Sequence, residues 1–304
     1  KWELYFNPTT NNLITKIPLF YETSTPSTGI DLKGVMRSFN SWSSSDGYLL
    51  YDSSFPQNSY TEIGDHDTSY YSLSDDANSN WDPAAVSAIH NSKITYDYFL
   101  NTHNRNSIDN NGTAITSWVN VTSDGQPVFN AYWSSGVMRY GTGADGSENM
   151  AIALDVAGHE FTHGVIENTA GLQYQNQSGA LNESFADIFG AMIDRDDWYI
   201  GEDLKSPYGQ YDYLRDMRYP STTGQPGHMD DYLHLPNTSD GDWGGVHYNS
   251  GIQNRAFYLL SEGLTDEGIG TSIGKRKAET LAYETLLKLA YDSEFVDSAN
   301  TMIL

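Results

Sequence analysis

The hydrophobic period of this chain changes near residue 150, and that change constrains the fold more than any other feature. Before it, the sequence is dense in Ser, Asn, Thr, Asp and Gly, with short apolar runs. One of these, Ile115-Thr116-Ser117-Trp118-Val119-Asn120-Val121, reads as β-sheet among long loops. The run from Tyr132 to Tyr140, broken by Ser134-Ser135-Gly136, reads as two strands about a turn. The exception is Asp82-Pro83-Ala84-Ala85-Val86 leading to Tyr98. An Asp N-cap, Pro at the first helical position and Val86, Ile89 and Tyr96 on one face predict a helix there. After residue 150, apolar residues recur at steps of three and four over 152–168, 179–194, 251–262 and 273–290, which predicts helices. The polar segment 201–246, with its Gly, Pro and Asp clusters, reads as a long loop ordered by function or by metal. The expected fold class is α+β, with a β-rich N-terminal lobe over 1–150 and a mainly α-helical C-terminal lobe over 151–304.

Composition narrows the function classes. A chain of 304 residues with 38% hydrophobic and 13% aromatic residues can bury a sizeable core and is not a disordered tail. Its 40 acidic residues against 16 basic ones give a net charge of −24, which repels phosphate backbones and anionic membrane surfaces. Neither nucleic acid nor a membrane is expected as partner, and bound divalent cations would relieve the self-repulsion. No run of about 18 apolar residues is present, so no membrane span is expected. The opening Lys1-Trp2-Glu3-Leu4-Tyr5 has no signal-peptide pattern, which fits a cytosolic protein or a secreted one whose leader has been removed. With no cysteine, disulfides, thiolate metal sites and a cysteine nucleophile are excluded, so a metal must rest on His, Asp and Glu.

The strongest chemical signal is His159-Glu160-Phe161-Thr162-His163. Helical positions four apart lie about 40° apart around the axis, so both imidazoles leave one face and can share an ion. On this motif alone, a helix with two unrelated surface histidines is the alternative. A catalytic zinc takes three protein ligands and leaves a position for water. The run Leu181-Asn182-Glu183-Ser184-Phe185-Ala186-Asp187 offers the third, with Glu183 and Asp187 four apart on a helix whose Phe185, Ile188, Phe189 and Met192 form a buried face. Carboxylates aimed into such a core are costly unless paired or metal-bound, although a solvated acidic stripe is the competing explanation. Glu183 as ligand, with Asp187 accepting from the far nitrogen of a ligating histidine, completes a zinc site.

Together, His159-Glu160-Phe161-Thr162-His163, Asn182-Glu183 and Asp187 resemble the thermolysin family of zinc metalloendopeptidases. The likeness extends to Ile94-Thr95-Tyr96-Asp97-Tyr98 with His103-Asn104-Arg105, to Asn130-Ala131-Tyr132-Trp133, to Gly171-Leu172-Gln173-Tyr174-Gln175-Asn176, and to Gly244-Gly245-Val246-His247-Tyr248-Asn249-Ser250-Gly251. The resemblance implies one catalytic zinc on His159, His163 and Glu183, with Glu160 as general base. It also implies that His247 and Tyr174 stabilise the oxyanion and that Asp242 orients His247. From the residues alone, His247 would be a turn histidine and Tyr174 one of 22 tyrosines. The resemblance further maps substrate binding onto Asn130, the Ala131 backbone and Arg215. It maps a hydrophobic pocket onto Met150, Val156, Ile200, Leu204 and Leu214, for which core packing is the alternative. Its fold has the active-site cleft between the two lobes.

The resemblance also implies structural calcium, one ion or more, on Asp155, Asp194, Asp197, the Tyr199 carbonyl and Glu202. Ser206 and Asp212 are candidates for a further calcium, whereas Asp75 and Asp76 match the family poorly and read as solvated charge. The sequence ends at Leu304, short of the family's final helices, so Ile303-Leu304 would form an apolar end. The expectation is a monomeric, secreted endopeptidase, mature after removal of leader and propeptide. It would act on protein or peptide substrates and prefer a bulky hydrophobic residue at P1′. The competing function is a catalytically inactive, calcium-binding extracellular protein on the same fold.

Overall fold

A computed structural model describes residues 2–6, 13–18, 24–44, 47–55, 61–65, 72–143, 148–204, 212–263 and 270–303. The chain divides into two compact units. One comprises Lys1–Lys93, Gly112–Asn130 and Val137–Ile152; the other comprises Ile94–Asn111, Ala131–Gly136 and Ala153–Leu304.

The first unit is built of strands. β1 (Trp2–Phe6) and β2 (Leu13–Pro18) form an antiparallel pair. β3 (Ser24–Ile30), β4 (Met36–Ser44), β5 (Gly47–Leu49) and β8 (Leu73–Ser74) make an antiparallel sheet in the order β3-β4-β5-β8. A second sheet contains β6 (Tyr51–Asp52), β7 (Thr61–Asp65), β9 (Ile115–Ser123) and β12 (Val137–Gly141), with β9 parallel to both β7 and β12. The short β10 (Gln126–Pro127) folds back on β9. Along β9, Ile115, Ser117, Val119 and Val121 are buried while their neighbours are not, as the alternating sequence requires. β11 (Ala131–Ser134) falls in the second unit and leads to β12 through Ser135 and Gly136, both at positive φ (52° and 79°), the conformation a two-residue hairpin turn demands.

Helix α1 (Pro83–His103) begins where the sequence places it, with Asp82 Oδ1 accepting from the Ala84 amide at 2.7 Å. Val86, Ile89 and Tyr96 are buried as the spacing predicts, but the helix continues five residues past Tyr98. Its last turns contribute Phe99, whose ring centroid lies 5.1 Å from that of Phe161 and 5.5 Å from that of Phe189. These rings form the core of the second unit.

That unit holds α2 (Leu154–Glu167), α3 (Asn176–Ile193), β13 (Tyr199–Ile200), β14 (Arg215–Asp216), α4 (Asp242–Glu262), α5 (Lys275–Leu286) and α6 (Phe295–Ile303). The β-rich N-terminal and helical C-terminal regions agree with the expected α+β class. α2 packs on α3, and α3 on α4. The first contact depends on glycine: a Cβ on Gly190 would lie 2.7 Å from the Asp155 carbonyl oxygen, and one on Gly158 would lie 3.2 Å from the Gly190 Cα. A Cβ on Gly179 would likewise overlap Val246 on α4.

Two helix starts differ from the sequence expectation. α3 begins at Asn176 instead of 179. α4 begins at Asp242 instead of 251, after a start in which Trp243, Gly244 and Gly245 take left-handed angles. His247 therefore stands on a helix and not in a loop. The Gly pair hides this from a periodicity argument, because the helix resumes at Val246 with Asn249, Ser250, Gln253 and Asn254 on its buried side, where apolar residues are the usual signal. The 201–246 segment is also less irregular than expected, carrying β14 and three short 3-10 turns.

His103 closes the core of the second unit, stacked on Tyr283 at 4.3 Å and edge-on to Phe189 at 5.6 Å. Burial lowers its pKa from 6.5 to about 4. Between those values the unfolded chain binds the extra proton, so this residue's contribution is complete above pH 6.5 and is lost as pH falls toward 4. Thermal unfolding of His103→Phe should therefore fall less steeply than wild type as pH drops through that window; parallel curves would contradict the assignment.

Candidate active site

All the central groups of the site come from the second unit. The motif on α2 places His159 and His163 one turn apart, with ring centroids 4.6 Å apart and Nε2 atoms 3.0 Å apart. α3 brings Glu183 beside them: Oε2 lies 3.4 Å from His159 Nε2, and Oε1 lies 3.4 Å from His163 Nε2. The close glycine-mediated packing of the two helices permits this approach.

The outer nitrogen of each histidine is engaged. His159 Nδ1 lies 2.9 Å from Asp187 Oδ1, and His163 Nδ1 lies 2.8 Å from Asn182 Oδ1. The Asn182 amide nitrogen donates to the Leu172 carbonyl at 2.9 Å, which fixes its oxygen toward His163. Nδ1 of each histidine therefore carries a hydrogen, and the two Nε2 atoms face one another next to a carboxylate. Such a converging set calls for positive charge at its focus, and three N and O donors of this kind suit zinc. Without a metal, a proton on His159 takes that place. Burial opposes charge on His159, yet Asp187 and Glu183 raise its pKa to about 10. Burial lowers His163 to about 4. Burial works against ionised Glu183, but His247, His163 and His159 hold its pKa well below the ordinary value.

Asp187 is fully buried and tied on three sides. Besides His159, it accepts from Arg215 Nη2 at 2.6 Å and from Asn254 Nδ2 at 2.8 Å. Burial would raise its pKa, and Arg215 and His159 reverse that.

Glu160, beside the pair on α2, does not share this network. Burial raises its pKa to about 7, with Glu183 adding to the shift while His159 and the Trp133 backbone N–H oppose it. Among the described residues, Glu160 Oε2 and Glu183 Oε2 are buried and accept no hydrogen bond. A buried carboxylate oxygen without a donor leaves room for a proton, a water or a ligand.

Two half-exposed side chains face this centre. The Tyr174 hydroxyl donates to Glu183 Oε1 and lies 3.1 Å from His247 Nε2. Asp242 takes His247 Nδ1 at 2.6 Å and the His247 backbone N–H at 2.8 Å. Burial acts against the charged imidazole, but Glu183 and Asp242 raise its pKa. The left-handed start of α4 lets Asp242 reach back to a residue five positions on.

The remaining expected residues divide between the units. Val156, Ile200 and Leu204 are buried in the second, and Leu204 and Leu214 meet beside Gly201, whose Cβ position would lie 2.7 Å from Leu214. Ala131 opens β11. Asn130, exposed, and Met150, buried, belong to the first unit.

Of the expected acidic residues, Asp194 and Glu202 meet, together with Asp203, which was not among those expected. Asp194, Glu202 and Asp203 place ligand atoms within 4.8 Å of one another. Asp155 is buried; its oxygens accept from the Val156 and Gly201 amides, and burial raises its pKa to about 6. Burial, with Asp155 next, raises Glu202 to about 9. Asp197 turns Oδ1 onto the Tyr199 amide at 2.7 Å. Glu202 Oε2 is buried without a hydrogen-bond donor, the state a bound cation relieves. Asp212 is exposed, and Ser206 lies outside the described residues. Asn182, Asn254 and the Trp133 amide also escaped the sequence reading; Asn182 alone left a signal, standing beside Glu183 in the run that supplies the carboxylate.

Histidines one helical turn apart, a carboxylate from the next helix and a second glutamate alongside form a candidate metal centre. Comparison with known proteins places it more closely. The family model described as "Thermolysin metallopeptidase, catalytic domain" matches residues 26–167, and "Thermolysin metallopeptidase, alpha-helical domain" matches 170–304. The chain belongs to the thermolysin family of metallopeptidases. It is 39% identical over 291 residues to the "Bacillolysin" of Brevibacillus brevis, covering 94% of this chain and 53% of that protein. It is 38% identical over 306 residues to the "Extracellular elastase" of Staphylococcus epidermidis, covering 98% of this chain and 58% of that protein. The chain thus spans somewhat more than half the length of these relatives. Among solved structures, the precursor of protealysin, a metalloproteinase from Serratia proteamaculans, superposes with a TM-score of 0.67 at 35% identity and 80% coverage of each chain.

Proposed function

We propose that this protein is a secreted zinc-dependent endopeptidase. The observation that carries the reading is the buried focus of His159, His163 and Glu183, set beside a Glu160 carboxylate with an unpartnered oxygen. His159, His163 and Glu183 would hold one zinc, with Asp187 and Asn182 fixing the two rings. Bound zinc supplies Lewis acidity toward water and a carbonyl oxygen. Glu160, with its pKa near neutrality, takes the proton of the attacking water and delivers it to the departing amide nitrogen. Tyr174 and His247 donate hydrogen bonds to the oxygen that gains charge, and Asp242 keeps His247 protonated and aimed.

Substrates are protein or peptide segments, which extend along Asn130 and the Ala131 backbone while Arg215 holds a carbonyl. Val156, Ile200, Leu204 and Leu214, with Met150, favour a bulky hydrophobic residue at P1′. The acidic group of Asp155, Asp194, Asp197, Glu202 and Asp203, with the Tyr199 carbonyl, binds structural calcium, and Ser206 and Asp212 are the further candidates. Secretion is supported by the staphylococcal relative, which is an "Extracellular elastase". Among the described residues, no helix is long and apolar enough to cross a membrane. The net charge of −24 disfavours nucleic acid. We further propose a monomer whose lobes divide near residue 150, processed from a longer precursor.

Casein cleavage tests the reading. Glu160→Gln should lose about 10²–10⁴-fold in kcat while retaining its zinc. A wild type that holds zinc and cleaves nothing would favour the inactive, calcium-binding alternative. Calcium added to chelated protein should raise the melting temperature, and Glu202→Gln should reduce that gain; a melting temperature indifferent to calcium would remove the calcium assignment.

A further inference from the structure

The first unit contains a cavity of ≈ 390 Å³ that takes no part in the chemistry above. Its apolar portion comes from Phe39 on β4 and Ile89 on α1, and its polar lining includes Arg37, His90, Lys93 and Asp52. Three basic side chains around one cavity run against the trend of a chain with only 16 Lys and Arg and a net charge of −24.

The two kinds of charge are held differently. Arg37 Nε is fixed by Asp31 Oδ2 at 2.6 Å, and Asp31 is itself buried. Among the described residues, no hydrogen-bond acceptor takes the two terminal nitrogens of Arg37, which leaves a positioned, open fork. Asp52, by contrast, is occupied by its neighbours. Its oxygens accept from the Ser54 amide at 2.7 Å, the Asn40 amide at 3.2 Å and the Asn40 side chain at 3.3 Å. Burial, with Arg37 next, lowers the pKa of His90 and keeps it neutral at physiological pH. Arg37 and Lys93 then stand against Asp52 in the lining and Asp31 behind Arg37, so the cavity carries no excess positive charge.

Each property selects a ligand feature. The paired nitrogens of a guanidinium match the two oxygens of a carboxylate. A lining without excess positive charge suits a monoanion better than a dianion such as phosphate. Pro26 and the edge of Phe39 offer a surface to a hydrocarbon group, and the volume lies at the small end of ligand pockets. We infer that this cavity binds the C-terminal carboxylate of a short peptide or N-acylated amino acid that ends in an apolar residue. Arg37 grips the carboxylate, Lys93 adds charge, and Pro26 and Phe39 lie against the side chain. Peptide hydrolysis releases such carboxylates, so the origin of the ligand rests on the proposed endopeptidase activity, whereas the binding does not.

The test uses the zinc-loaded full chain, titrated with N-acetyl-leucine and followed by amide NMR shifts. Saturable shifts are expected at residues 37–40 and 89–93. Arg37→Lys, which keeps a cation for Asp31, and Lys93→Gln should each weaken binding by about tenfold. N-acetyl-leucinamide and inorganic phosphate should bind at least about tenfold more weakly than N-acetyl-leucine, since one lacks the carboxylate and the other the apolar group. Casein cleavage by both variants should stay within about twofold of wild type, because neither residue touches the reacting groups. Absence of shifts at those amides, equal binding of the amide or of phosphate, or undiminished affinity in both variants would overturn the inference. If casein is not cleaved while N-acetyl-leucine binds as described, the peptidase reading fails and the pocket stands.

Discussion

The site depends on how closely α2 and α3 approach each other. Gly190 lies under the Asp155 carbonyl, and Gly158 faces Gly190, so the two helix backbones meet with no side chain between them. A larger residue at either position would push the helices apart and withdraw Glu183 from the two imidazoles. Both helices are buried almost all round, so they cannot relax toward solvent to absorb such a change. Rigid placement of this kind is what a metal site needs, because the ligands must converge before the ion arrives.

Burial would make the ionised groups of this centre unfavourable singly. A carboxylate taken out of water costs several kcal/mol unless neighbours compensate. Here the compensation runs as a chain of alternating character, from Arg215 through Asp187, His159 and Glu183 to His247 and Asp242. Each carboxylate has a basic group on either side or at one end. Glu160 lies outside this chain, and burial, only partly offset by His159, leaves its pKa raised to about 7. One carboxylate is thus left near neutral pH among groups held more firmly in one charge state, the separation that would suit the general base proposed above.

Much of this was legible in the sequence because the required features are local. The four-residue spacing of His159 and His163, and of Glu183 and Asp187, encodes shared helix faces, and both pairs lie where that spacing puts them. The Asp82-Pro83 helix start was readable for the same reason. What escaped depends on tertiary placement. The left-handed start of α4 disguised His247 as a loop residue, since Gly244 and Gly245 normally end a helical reading. Asn254 reaches Asp187 from another helix, 67 positions away in sequence. The Trp133 contact uses a backbone amide, which no residue type announces. Asp203 has no signal in the sequence, since only folding brings it against Asp194.

The account's central claim is that two imidazoles and one carboxylate converge on a single zinc, while His247 stands beside it as a hydrogen-bond donor. Zinc K-edge absorption fine structure on the zinc-loaded protein tests this most directly. One zinc with two imidazole nitrogens at about 2.0–2.1 Å and the remaining donors oxygen is expected. A third imidazole in the fit, or a shell of oxygen alone, would contradict it.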